Sequence, residues 1–425
     1  ERGEGAYLID ENGKKYYDGV SSLWVNIHGH NHPVLNQALK DQIDKIAHST
    51  LLGLVSPPSA QLCKELVELA PEGLDKVFLS DDGSTAIEVA IKMAYQYRQQ
   101  VGQTKKTKFI ALNAGYHGDT LGTVSVGGIQ LFHQVFHNLL FKPLTLPSPG
   151  VYRDLADRDK AFEESLIELE RILNEEGDEI TALVMEPLVQ AAAGMLVMPH
   201  GYLKRVRELT EQHDVFLIVD EVATGFGRTG KFFACEHEGV SPDFMTLSKG
   251  ITGGYLPLAA TLTTKRVFDA FLGTFEEKKT FYHGHSYTGN ALACAVALAS
   301  LKVFRDEKVI EQLPAKVEAF TKALEPIKSL KNVIIISLSS GLNVWKKFMD
   351  LANYNNENIK MFALGPVGKG YGKLKNMIVF KGVFDIYSWL LDFHRTDKIV
   401  NCGHLGYFKD RKVKEIIQEL MKGVE

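Results

Sequence analysis

VFLIVDEVATGFGRTG (215–230), followed shortly by DFMTLSKGITGG (243–254), is the stretch on which the reading of this chain turns. In each segment a short apolar run stops at a charged side chain and gives way to glycine-rich sequence. FLIVD ends on Asp220, and DFMTLSK ends on Lys249, 29 residues later. Continuous apolar runs of this length, bounded by turn residues, read as buried strands. A carboxylate and an amine are therefore expected at the ends of two strands of one sheet.

Working outward, KVFLS (76–80), KFIAL (108–112) and ALVME (182–186) are runs of the same kind. Helical apolar spacing fills the intervals at 84–99, 160–176 and 202–213. Strands alternating with helices predict an α/β fold, a mainly parallel sheet with helices on both faces. Ligands of such sheets sit outside the carboxyl ends of the strands, where Asp220 and Lys249 fall. This pattern defines a large domain over 50–305. Residues 1–49 carry short strands, AYLID (6–10) and KKYYDG (14–19), and a helix over 33–46. With 306–425, which opens on two helices and then turns irregular, they are expected to form a smaller α+β domain from both chain ends.

Composition narrows the function. The 425 residues are 45% hydrophobic and 24% charged, with a formal net charge of −4. That balance is ordinary for a globular protein and gives no electrostatic case for nucleic acid or an anionic membrane. No apolar run approaches the roughly 18 residues that span a bilayer. The opening residues, ERGEGAYLIDENG, hold no signal-peptide core and no initiating methionine, which leaves room for native residues before Glu1. Cys63, Cys235, Cys294 and Cys402 are scattered and form no CxxC pair. A reducing, cytoplasmic setting is expected.

An amine and a carboxylate at two such strand ends suit pyridoxal phosphate (PLP). The lysine can form a Schiff base with the aldehyde, and the aspartate can keep the pyridine nitrogen protonated. The plain alternative is a strand-end acid and a surface lysine, and the neighbouring motifs decide against it. In SDDGSTAIEVAIKMAYQY (80–97), Ser84 sits where a helix N-cap belongs, and Gly83 lets the backbone approach a ligand. A helix start of this kind binds phosphate. GYHGDT (115–120) offers the Tyr116 ring to a planar cofactor, with Val222 on the other ring face. His117 reads either as a base or as a structural loop histidine. SKGITGG (248–254) surrounds Lys249 with small residues, giving room for an adduct and a dry setting that lowers the amine's pKa. HGHNH (28–32) and HGH (283–285) invite a metal reading, but no Cys or Glu–His pair completes a set, and the glycines and Pro33 fit turns.

With DGVSSLWVNIHGHNHP (18–33), KGITGGYLPLAATLTT (249–264) and HGHSYTGN (283–290), these segments resemble the class III PLP aminotransferases of fold type I. The resemblance covers roughly residues 5–305, six motifs in the family's order. It implies a Schiff-base role for Lys249 and a ring-nitrogen role for Asp220. Gly83 and Ser84 would bind the phosphate, and Tyr116 would stack on the ring while facing substrate. His285 and Ser286 would reach the phosphate of a neighbouring subunit's cofactor in a homodimer, and Gly284 would line the substrate channel. Within the class the match is nearest to the biotin-biosynthesis branch, which aminates 8-amino-7-oxononanoate to 7,8-diaminononanoate using S-adenosylmethionine or lysine. An ω-amino-acid, ornithine or acetylornithine aminotransferase is the alternative.

The sequence departs from the family in three places. Leu23 and Trp24 stand where two tryptophans are common in the substrate site. His285-Ser286 replaces a Pro-Thr pair but keeps the hydroxyl. From about residue 330 the family's pattern is lost, including the Arg-Pro pair that clamps a substrate carboxylate. Neither Arg395 nor Arg411 sits in that motif, so no clamp is assigned.

Overall fold

Why the strands run as they do is visible in which residues face which side. In strand β10 (Phe216–Asp220), Leu217 and Val219 join one buried cluster, and Phe216 and Ile218 join another. Strand β7 (Ile180–Met185) divides the same way, with Leu183 and Met185 on one side and Ala182 and Val184 on the other. Side chains alternate across a strand, so an all-apolar strand requires a packed layer on each face. Those layers are helices. Leu203, Val206 and Leu209 of the helix Tyr202–Gln212 cover one face, together with Ala293, Ala297 and Leu301 of the helix Ala291–Asp306. Ile87, Ala90 and Ala94 of the helix Gly83–Gln100 cover the other.

The computed structural model describes residues 1–151 and 155–324, and the strands Val333–Leu338, Ile359–Leu364 and Met377–Phe380. Two compact units divide the chain: residues 1–149, 161–188 and 198–312 form the first, and 150–160, 189–197 and 313–425 the second. Residues 1–49 cluster with the first unit. Most of 306–425, with Arg395 and Arg411, lies outside the described residues.

The first unit is built on a seven-stranded sheet. It contains β4 (Leu74–Ser80), β5 (Lys108–Leu112), β6 (Leu144–Leu146), β7, β10, β11 (Phe244–Leu247) and β12 (Ala259–Thr264), in the spatial order 4-12-11-10-7-5-6. β12 pairs antiparallel with both β11 and β4, and the other pairings are parallel. All strands except β12 therefore point their carboxyl ends the same way. The expected mainly parallel α/β sheet is what forms, and β6 and β12 are the strands the sequence did not announce. A separate antiparallel sheet near the amino end joins β1 (Arg2–Glu4), β2 (Tyr7–Ile9) and β3 (Lys15–Tyr17). In the second unit, β8 (Val189–Gln190) pairs with β9 (Leu196–Val197), and the strands at 333–338, 359–364 and 377–380 form a parallel three-stranded sheet. Among the described residues no helix is long and apolar enough to cross a membrane.

Candidate active site

The parallel strands deliver their following residues to one end of the sheet. Asp220 closes β10 as expected. β11 stops at Leu247, two residues before Lys249, which instead opens a short 3-10 turn, Lys249–Thr252, at φ +42°. The lysine thus stands clear of the sheet, in a left-handed conformation that non-glycine residues seldom adopt outside functional sites. Its amine has no hydrogen-bond or ion-pair partner among the described residues, and its Nζ lies 5.4 Å from the centre of the Trp24 ring. Burial pushes its pKa below the ordinary lysine value, against the pull of Asp220 and Glu186, and the nearby Arg228 charge adds to the lowering. An amine so placed is chemically able to act as a nucleophile.

Asp220 is 4% exposed. Its Oδ2 accepts a hydrogen bond from His117 Nδ1 at 2.7 Å, and its Oδ1 accepts from the amide of Val222 at 3.0 Å. His117 is buried, which opposes charging the ring. The bond to Asp220 and the charges of Asp220 and Glu186 outweigh burial and raise its pKa. The sequence left His117 open between a base and a structural role; in the fold it is the partner of Asp220. Among the described residues, its buried Nε2 has no hydrogen-bond partner.

The helix after β4 is capped differently from expectation. Asp82, not Ser84, is the N-cap: its Oδ1 accepts from the Thr85 amide at 2.9 Å, and its own amide donates to Thr85 Oγ1 at 3.2 Å. Asp81, Asp82 and Ser84 are all cap-forming residue types, and Asp82 is the one that captures the helix start. Gly83 and Ser84 become the first helical residues, whose amides have no acceptor within the helix. Ser84 Oγ accepts from the Asp119 amide at 3.3 Å. A Cβ on Gly83 would lie 2.7 Å from Val222 Cγ1, and one on Gly118 would lie 2.0 Å from Ser84 Oγ. The two glycines therefore let the loops after β4, β5 and β10 interlock. Tyr116 joins the same cluster: its hydroxyl donates to Asp119 Oδ2 at 2.9 Å, and its amide donates to Glu186 Oε1 at 3.1 Å. Burial, the Asp119 bond and the Asp119 and Asp220 charges all raise its pKa, so the phenol stays protonated.

The glycines after Lys249 serve another purpose than the one expected. A Cβ on Gly250 would lie 2.5 Å from Ile27 Cδ1, and one on Gly254 would lie 3.1 Å from the Asn26 backbone. Their room is taken by the amino-terminal segment, which is thereby pressed against the lysine turn. Trp24 arrives by this route, whereas Leu23 is exposed.

Gly284, His285 and Ser286 are not gathered around Lys249. With Thr50, Leu51, Leu52, Val55, Cys63 and residues of β4 they line a separate cleft of about 630 Å³. There His285 Nδ1 lies 3.5 Å from Asp81 Oδ2, and His48 Nε2 lies 2.6 Å from the Ser286 carbonyl oxygen. The HGHNH histidines go to separate partners: His28 to Ser300, His30 to Asp18 and His32 to Glu307. Among the described residues no group of three or more His, Cys, Asp or Glu could hold a metal ion. Sequence reasoning missed Asp119, Glu186 and Arg228, although Glu186 closes the run ALVME as Asp220 closes FLIVD, and Asp119 and Arg228 each follow a glycine.

Comparison with known proteins bears on the same site. The profile of the aminotransferase class-III family matches residues 1–341, close to where the motifs run out. The adenosylmethionine-8-amino-7-oxononanoate aminotransferase of Aquifex aeolicus is 57% identical over 338 residues, which are 78% of this chain and 74% of that protein. The crystal structure of the Methanocaldococcus jannaschii enzyme of the same name superposes with a TM-score of 0.73 at 48% identity, covering 78% of this chain and 74% of that one. An amine transaminase from an uncultivated Pseudomonas species, solved in its PLP-bound form, superposes with a TM-score of 0.71 at 36% identity, covering 77% and 75%. By its sequence match and its fold, this chain belongs to the class III aminotransferases.

Proposed function

We propose that this aminotransferase uses PLP to aminate 8-amino-7-oxononanoate, giving 7,8-diaminononanoate, with S-adenosylmethionine as the amino donor. The substrate and donor follow from the names of its relatives. The observation that carries the chemistry is the unpartnered Lys249 amine, lowered in pKa, close enough to the fixed Asp220 carboxylate to feel its charge.

The side chains suit the cofactor. When bound, PLP supplies an aldehyde carbon for amine attachment and a ring that withdraws electrons from the carbon being deprotonated. Lys249 Nζ would be the attachment point, and as a free amine it would hold and move a proton at the substrate carbon. Asp220 would face the pyridine nitrogen, and His117 fixes the carboxylate's orientation. The free amides of Gly83 and Ser84, at the positive end of an 18-residue helix, take the phosphate, and Ser84 Oγ–H is free to donate. Tyr116 and Val222 would flank the ring, and Trp24, with Leu23 beside it, would border the substrate side. Glu186 and Asp119 anchor the Tyr116 loop.

A homodimer completes the proposal. Leu52 is 90% exposed and Phe275 84% exposed, and Leu52 borders the cleft that carries Gly284, His285 and Ser286. Large apolar side chains left in water beside a cleft mark an interaction surface. Across it, His285 and Ser286 would serve the partner's cofactor phosphate, and Gly284 its substrate path. A cytoplasmic location agrees with Cys63, Cys235 and Cys294, free thiols among the described residues.

The test is reduction of the holoenzyme with borohydride, followed by peptide mapping, and a half-reaction series with S-adenosylmethionine, lysine, ornithine and alanine. The cofactor mass is expected on Lys249, and S-adenosylmethionine is expected to discharge the visible band. Label on another lysine would end the site assignment; discharge by ornithine alone would point to the rival aminotransferase.

A further inference from the structure

Residues Ser21–Trp24 form a single turn of the wrong hand. Their φ angles are 51°, 48°, 69° and 69°, and ψ is 49° at both Ser22 and Leu23. Backbone bonds close it, from Trp24 N to Val20 O at 2.9 Å and from Val25 N to Ser21 O at 3.0 Å. L-residues crowd Cβ against the following carbonyl in this conformation, and only glycine visits it without penalty. Four consecutive non-glycine residues, one of them tryptophan, hold it here. Such a segment persists only where its surroundings over-determine it, and such segments gather at ligand clamps and active sites.

The surroundings are specific. Asp18 Oδ1 accepts from the Ser22 amide at 2.9 Å, and its Oδ2 accepts from the Ser22 hydroxyl at 2.8 Å. His30 Nε2 lies 2.8 Å from the same Oδ2, and the Asp18 side chain is 8% exposed. At the other end of the turn, Arg228 Nη2 donates to the Trp24 carbonyl at 2.8 Å. Beyond it, the backbone of Val25 and Asn26 presses on Gly254. What the turn delivers is the Trp24 ring, 5.4 Å from Lys249 Nζ.

We propose that Asp18, backed by His30, and Arg228 are positioning residues. They pin the left-handed turn so that the Trp24 indole walls the lysine on its substrate side and sets the space left for the amino donor. This absorbs the HGHNH motif, whose middle histidine acts through Asp18 rather than on a metal. It rests on Lys249 being the cofactor-bearing amine, and the two ideas fail separately. A wild type that shows no cofactor-dependent visible band overturns the lysine assignment, whereas the clamp is read without cofactor from tryptophan emission.

In the apoprotein, the Trp24 contribution is obtained by subtracting the spectrum of Trp24→Phe. Asp18→Ala is expected to shift that emission to longer wavelength and raise its quenching by acrylamide. In the holoenzyme it is expected to cut kcat/KM for the donor half-reaction about 5- to 50-fold, mostly through KM, because a displaced wall misplaces the donor. Adding Leu23→Gly to Asp18→Ala is expected to recover at least part of both signals, because glycine holds the left-handed turn without the clamp. Should Asp18→Ala not fold, Asp18→Asn, which keeps one acceptor oxygen, is expected to give the same changes at smaller amplitude. Wild-type emission and half-reaction in the Asp18 variants, or a double variant no better than Asp18→Ala, overturns the proposal.

Discussion

His117 Nδ1 lies 2.7 Å from Asp220 Oδ2, with both side chains buried, although 103 positions separate them in the chain. The pair sets the orientation of the carboxylate that is proposed to face the cofactor nitrogen. His117→Phe keeps the ring volume and removes the donor. A hydrogen bond to a charged group contributes about 1.5–3 kcal/mol, so turnover is expected to fall about 10- to 100-fold with fold retained. The histidine also marks stability. Its native pKa lies above the ordinary 6.5, so its contribution is complete below that value and is lost as pH rises through the raised native one. Melting of the apoprotein across neutral to alkaline pH should show this decline in wild type and a flatter curve in His117→Phe. Matching slopes would remove the pair from the account.

The interlocked loops make a sharper steric prediction. Gly118 has φ +126°, and an added Cβ would meet Ser84 Oγ at 2.0 Å and Ser84 Cα at 2.9 Å. Gly118→Ala is expected to cost about 1–3 kcal/mol by overpacking and to weaken PLP retention, because Ser84 must move. Gly102 has φ +81° with nothing near its missing Cβ. Gly102→Ala should cost about 1–2 kcal/mol of backbone strain and leave PLP retention unchanged. Equilibrium dialysis against free PLP distinguishes the two, and equal retention in both variants would contradict the interlock.

Much of this was legible in the sequence, and the exceptions have physical causes. KFIAL formed β5 with the expected bounds, and the run ending at Asp220 formed β10, because buried parallel strands leave an uninterrupted apolar signature. The stop at Lys249 was misplaced by two residues, since Ser248 and Lys249 continue the segment without a turn residue between them. β12 escaped because AATLTT lies in a glycine- and proline-bounded motif with no helix between it and β11. The left-handed turn at Ser21–Trp24 was invisible for the opposite reason: it contains no glycine. Pairings such as His117 with Asp220 depend on strand order, which local pattern does not carry.

Glu221, next to Asp220 in the chain, is fully buried. Burial raises its pKa above the ordinary 4.5, against hydrogen bonds from the Thr224 hydroxyl and from the Cys235 amide at 2.8 Å. Such a group contributes stability below 4.5 that is lost as pH rises through the raised native value. Glu221→Gln, which never ionises, should therefore be at least as stable as wild type at pH 8 and lose that advantage toward pH 5. Glu221→Ala leaves the Cys235 amide without an acceptor beside a new cavity, and should cost about 2–4 kcal/mol. Urea titrations at the two pH values test both. A Gln variant weaker than wild type at pH 8 would mean that the carboxylate is ionised and required.

Arg98 supplies the opposite case, a buried charge at the far end of the sheet. Its Nη1 donates to Gln103 Oε1 at 2.6 Å and Asp214 Oδ2 at 2.8 Å, and its Nη2 donates to the Asp214 carbonyl at 2.6 Å. The guanidinium lies 4.0 Å from the centre of the Phe216 ring, at the amino end of β10, whereas Asp220 is at its carboxyl end. Asp214 is 44% exposed, so water screens the ion pair and its charge contributes little. The carbonyl acceptors and the stacked ring are what the side chain satisfies. Arg98→Ala orphans them and opens a cavity beside Phe216, at an expected cost of about 2–4 kcal/mol. Arg98→Lys recovers only part of this, because an ammonium lacks the planar fork and the stacking face. Turnover per folded active site should stay within about twofold in both variants, since a four-residue rise at about 3.3 Å per residue separates Phe216 from Asp220. Loss of activity without loss of stability would show that the two ends of β10 are coupled, contrary to the separation argued here.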